Sequence, residues 1–150
     1  MAMNTNTQSL KQEKDVFFMH LKIAAIRSRI LTTEDIENCL TAITFSNDFI
    51  ESIYITDSNG SLVAPVIISP FIGSNDFYCS PAAVNFNTAF ENYILKLKAG
   101  IAGYSIEGPF ISPYSEETCY TISTNLNNSK TLYINVINLS AYTFRSKAAV

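Results

Sequence analysis

The segment from Gly108 to Leu139 constrains the fold of this chain more than any other. It runs Gly-Pro-Phe-Ile-Ser-Pro, a polar turn from Tyr114 to Thr118, Cys-Tyr-Thr-Ile-Ser-Thr, an Asn-rich loop, and Leu-Tyr-Ile-Asn-Val-Ile-Asn-Leu. Short β-branched and aromatic runs bounded by Pro, Gly, Asn and Ser read as strand, turn, strand, turn, strand. Thr118–Thr124 and Thr131–Asn138 are expected to pair antiparallel, because only a short turn separates them. Alternation splits the first into Cys119, Thr121, Ser123 against Tyr120, Ile122, Thr124. It makes Leu132, Ile134 and Val136 the core side of the second.

Upstream, apolar spacing predicts a long helix from about Gln8 to Ile30, with Val16, Phe17, Leu21, Ile23 and Ala24 on its apolar side. Thr32 and Thr33 before Glu34 and Asp35 supply an N-cap and an acidic first turn. Ile36, Cys39, Leu40 and Ile43 then recur at helical spacing, giving a second helix that ends near Phe45. Ser52–Thr56, the turn cluster Asp57-Ser58-Asn59-Gly60 and Leu62–Ile68 read as a hairpin, with Pro65 pushing its second strand towards an edge or bulge. A long loop from Ser69 to Pro81 leads to a third helical stripe through Phe86, Phe90, Tyr93 and Leu97, ended by Gly100. Ile101–Glu107 completes the strands. Helices followed by strands in this order indicate an α+β fold with helices on one face of an antiparallel sheet.

Composition excludes several functions. The chain has 150 residues, of which 47% are hydrophobic and 15% charged, with a net charge of −3. That suits one domain, 1–150 with a polar leader at about 1–7, and lacks the basic footprint of a nucleic-acid binder. Lys22, Arg27, Arg29 and His20 interrupt the apolar stretch Val16 to Leu31, so no membrane insertion is expected, a span needing about 20 nearly uncharged residues. Cys39, Cys79 and Cys119 form no CxxC pair, and His20 is the sole histidine. Neither a disulfide framework nor a metal site is expected, and no cofactor is implied. No phosphate loop, GxSxG elbow or HExxH occurs, and the acid pairs Glu34-Asp35 and Glu116-Glu117 fall at a helix start and a turn, so no catalytic residue is assigned.

Two patches carry a family resemblance. Ile53-Tyr54-Ile55-Thr56-Asp57-Ser58-Asn59-Gly60 is similar to the first hairpin of the PDC or Cache branch of the PAS-like sensor domains. Gly108-Pro109-Phe110-Ile111-Ser112-Pro113 through Glu117-Thr118-Cys119-Tyr120-Thr121-Ile122-Ser123 resembles that family's turn and following strand. The resemblance implies a long N-terminal helix leading into a five-stranded antiparallel sheet. It also implies a small ligand held between the sheet and the segment from about Ser69 to Gly100.

This chain departs from the amino-acid-binding members. The pocket helix begins Ala82-Ala83-Val84-Asn85-Phe86 without their Arg, and the last strand ends in Asn138 where they have an Asp. A neutral or largely apolar ligand, or none, therefore competes with an amino acid.

Tyr78, Tyr93 and Tyr104 fall on the loop, helix and strand that would frame such a pocket. Thr121 and Ser123 add small hydroxyls, and Asn138 takes the place of the family's acid. These six are the candidate ligand-binding residues. The expected function is a non-enzymatic sensor acting through a signalling partner protein or output domain. The alternative is a ligand-free interaction or dimerisation module on the same fold. Phe17, Phe18, Met19, Ile23, Ala25 and Ile26 spread around the first helix, so a homodimer through that helix is expected. The location would be cytoplasmic for a complete chain and extracytoplasmic for a domain excised from a membrane receptor.

Overall fold

The structure, a computed structural model, describes residues 2–70, 83–127 and 129–137. The candidates Tyr78 and Asn138, and most of the long loop from Ser69 to Pro81, lie outside them. In chain order the elements are α1 (Ala2–Thr32), α2 (Ile36–Ser46), β1 (Ile50–Thr56), β2 (Ile67–Ile68), α3 (Ala83–Ala99), β3 (Tyr104–Ile111), β4 (Thr118–Asn125) and β5 (Thr131–Ile137). The fold is α+β: a five-stranded antiparallel sheet in the order β2-β1-β5-β4-β3, with a long N-terminal helix and two further helices among the described residues.

Pairing fixes which side chains share a face, because cross-strand partners project to the same side. One face carries the rows Ile53, Ile134, Ile122, Ile106 and Ile55, Leu132, Thr124, Tyr104. Those rows join Met19, Ile23, Ile26 and Ile30 of α1, Cys39, Leu40 and Ile43 of α2, and Phe90, Tyr93, Ile94 and Leu97 of α3 in one core. All three helices therefore cover the same face. Each large aliphatic side chain removed from water there stabilises the fold by about 1.5–3 kcal/mol.

On α1 the sequence grouping mixes two sides. Met19 and Ile23 are buried, whereas Phe17 and Leu21, assigned to the same stripe, are 64% and 50% exposed. The N-cap of α2 is Asp35, not Thr32 or Thr33. Its carboxylate accepts from the Asn38 amide at 3.2 Å, and the Thr33 hydroxyl accepts from the Asp35 amide at 3.2 Å.

The first hairpin turns where expected, with Asp57 Oδ1 accepting from the amides of Asn59 and Ser61. Its return strand shrinks to Ile67–Ile68 plus a single bridge from Leu62 to Thr56. Pro65, lacking an N–H, lies between the two contacts.

β3 is displaced in the other direction: it runs on to Ile111 through Gly108 and Pro109, where a connection was expected. A register shift between Glu107 and Phe110 absorbs these two residues opposite Tyr120. Gly108 is required there, since its φ is +116° and a Cβ would lie 2.9 Å from the Cys119 carbonyl oxygen.

Candidate functional site

The sheet face turned away from the helices carries a continuous polar chain. Its origin is a bulge in β1. Ile50 pairs with Val136 and Ser52 with Asn135, so Glu51 is the extra residue and shares a side with Ser52. Both are fully buried, and Asn135 is nearly so.

From β4, the Thr121 hydroxyl donates to Asn135 Oδ1 at 2.7 Å, and Asn135 Nδ2 donates to Ser52 Oγ at 2.8 Å. Ser52 Oγ then donates to Glu51 Oε1 at 3.1 Å. The other carboxylate oxygen, Oε2, accepts from the Ser115 hydroxyl and from Cys119 Sγ, the latter at 3.3 Å. Ser115 belongs to the turn between β3 and β4, which is closed by hydrogen bonds donated by the Ser112 amide to the Glu117 carbonyl and by the Glu116 amide to the Ser112 carbonyl, each at 2.9 Å. Glu51 therefore ties β1 to β4 and to the neighbouring turn.

The chain has one direction. A carboxylate accepts and does not donate, so the Ser52 proton points to Glu51, the Asn135 amide feeds Ser52, and Thr121 must donate to Asn135. Thr121, half-buried at the outer end, is left with its oxygen lone pairs available as acceptors.

Burial, and secondarily the Glu51 carboxylate, pushes the Cys119 thiol well above its ordinary 9.0. Burial pushes the Tyr93 phenol above its ordinary 10.0, with Tyr104 adding to the effect. The folded protein thus holds two protons that the unfolded chain releases from pH 9.0 and 10.0 upward. Their stabilising effect is complete below those values and is lost as pH rises beyond them. Urea midpoints measured from pH 7 to 11 are expected to fall above pH 9, with a shallower fall in Cys119→Ala. Peptide-resolved alkylation at pH 8 should modify Cys119 only as fast as the protein unfolds. Rapid labelling in the native state, or identical alkaline profiles, would contradict this.

The four described sequence candidates do not converge. Tyr93 and Tyr104 lie on the helix face of the sheet, where His20 Nδ1 meets the Tyr93 hydroxyl at 3.2 Å and the His20 ring packs edge-on to Tyr104, centroids 4.9 Å apart. Thr121 and Ser123 project from the opposite face, paired with Asn135 and Tyr133. The sheet separates the two sets, because Tyr104 pairs with Thr124, the neighbour of opposite parity.

Sequence reasoning missed Glu51, Ser52 and Ser115, and it noted Asn135 only as a residue off the core side of its strand. The available signal was an acid at the entry of the β-branched run Ser52–Thr56. Among the described residues no three His, Cys, Asp or Glu side chains group as metal ligands, and no helix is long and apolar enough to cross a membrane.

A second feature lies between α1 and α3. An open groove of about 640 Å³ is lined by Val16, Phe17, His20, Leu95 and Ile101, with Lys96 among its polar residues. His20, noted in the sequence as an isolated histidine, joins α1 to α3 and β3 beneath this groove.

No family model matches the chain, and no curated protein matches it. Among solved structures it is similar to the Bacillus subtilis YkuI protein, with an EAL domain, in complex with substrate c-di-GMP and calcium. The TM-score is 0.45 and the identity 14%, over 90% of this chain and 35% of that one. At that level of likeness neither fold nor function passes from one chain to the other.

Proposed function

We propose that this chain is a non-enzymatic sensor module that binds a small ligand on the sheet face turned away from its three described helices and transmits binding to α1 and a partner protein. The observation that carries this reading is the buried chain from Thr121 to Glu51. Burying a carboxylate, an amide and hydroxyls costs more than burying aliphatic side chains of similar size, whereas a few fixed polar groups on an otherwise packed surface give a site its specificity. The long N-terminal helix and five-stranded antiparallel sheet agree with the arrangement that the PDC or Cache resemblance implies.

The route to α1 runs through the core: β1 and β5 place Ile53 and Ile134 in the same cluster as Met19 and Ile23. Homodimerisation through α1 belongs to the same reading. Phe17, Phe18 and Leu21 remain half or more exposed on the side of α1 away from its buried residues. Those residues also favour the second reading, an interaction module without a ligand.

One set of measurements separates the two. Native mass spectrometry against a metabolite library is expected to find a saturating ligand, and sedimentation is expected to give a dimer at micromolar concentration that Phe18→Glu converts to monomer. A dimer with no ligand in the library would favour the interaction module. A monomer without a ligand would reject both.

A further inference from the structure

The five strands contain two charged residues, Glu51 and Glu107, and both lie on the face turned away from the described helices. They share one cross-strand row, in which Glu107 pairs with Thr121, Thr121 with Asn135, and Asn135 with Ser52 beside Glu51. Glu51 is sealed beneath the surface by its three donors, whereas Glu107 is exposed.

The adjacent row holds Tyr54 stacked on Tyr133, with ring centroids 4.9 Å apart and planes 13° from parallel, both half-buried. Burial raises the Tyr54 phenol first. Tyr133, Tyr114 and Glu107 raise it further, which puts those three groups within electrostatic reach of its hydroxyl.

These groups have one chemistry in common. Glu107 offers a carboxylate, Thr121 offers lone pairs because its proton is committed to Asn135, and the tyrosines offer electron-rich ring faces. Such a surface complements a positive charge that carries N–H donors and an apolar stem.

We propose that this face binds a small alkylammonium ligand, its N–H groups donated to Glu107 and Thr121 and its stem laid against Tyr54 and Tyr133. The inference rests on the sensor reading and gives it a ligand class. A carboxylate ligand meets repulsion from Glu107 and finds only an acceptor at Thr121. A quaternary ammonium satisfies the charge and leaves both acceptors without a donor.

The probe is n-butylammonium, titrated by two-dimensional NMR at constant ionic strength against n-butyrate and tetramethylammonium. Saturable shifts at Thr121, Tyr133 and Glu107 amides are expected with butylammonium, with at least tenfold weaker binding of the other two. Glu107→Gln, on an exposed side chain, should weaken butylammonium about tenfold while the fold is retained. Thr121→Val should do the same, and Tyr120→Phe, on the other face, should change nothing.

Equal shifts by butyrate and butylammonium would overturn the proposal, as would an unchanged affinity in Glu107→Gln. Silence with butylammonium while a metabolite library yields a neutral or anionic ligand overturns the ammonium assignment and leaves the sensor reading intact. Silence with both rejects the two together.

Discussion

Glu51→Ala is expected to destabilise the fold by about 3 kcal/mol or more, read as a lowered urea midpoint. The carboxylate accepts from Ser52, Ser115 and Cys119, and of these Ser52 and Cys119 are fully buried. Truncation leaves buried donors without a partner, at about 1–3 kcal/mol for each group left unsatisfied, and opens a cavity besides. Ser115 is less buried and can turn to water, so its share is the smallest.

Glu51→Gln separates charge from shape. The amide keeps one acceptor oxygen and replaces the other by an NH2 that faces the hydroxyl and thiol, so about 1–2 kcal/mol is expected. Glu51→Met is the stricter comparison, because an apolar side chain of similar size avoids the desolvation penalty of a buried charge. If alanine costs less than about 1 kcal/mol, the carboxylate is not the hub of the polar chain. A methionine variant as stable as the wild type, with ligand binding lost, would assign Glu51 to function rather than to stability.

The sequence made the sheet readable and left the site obscure for a physical reason. Period-two alternation in Thr131–Asn138 placed Leu132, Ile134 and Val136 on the core side, where they are buried, whereas in Thr118–Thr124 it separated the two faces without saying which one meets the core. Which face of β3 meets which face of β4 depends on register, and register was set by the two residues absorbed at Gly108 and Pro109. Tyr104 was therefore grouped with Thr121 when it pairs with Thr124.

Glu51 was hidden by a bulge, which reverses the parity of everything before Ser52 and gives no local signal in Ile-Glu-Ser-Ile. The excess apolar surface of α1 was legible because helical spacing alone shows that more positions are apolar than one stripe can use. Its two sides were sorted only by packing, which buried Met19 and Ile23 and left Phe17 and Leu21 outside.

The second large effect is expected at Tyr93, where substitution by alanine should cost about 3–5 kcal/mol. The side chain is fully buried on α3, and its ring and hydroxyl face His20 of α1. Removal takes away a core aromatic and the polar contact that joins the two helices. Tyr93→Phe retains the ring and should cost about 1 kcal/mol, the usual net value of one hydrogen bond.

The two variants should also differ in where the damage appears. A helix that packs on the core along one side depends on those contacts for its order, so amide exchange in Val16–Ile30 should accelerate strongly in Tyr93→Ala and only near His20 in Tyr93→Phe. If exchange quickened equally across the sheet and α1, Tyr93 would be serving the core as a whole and not the docking of α1. Were α1 selectively loosened, the ligand-driven shift proposed above would have a defined element to act on: a helix held from within through Tyr93 and His20, with Phe18 and Leu21 exposed on its outer side.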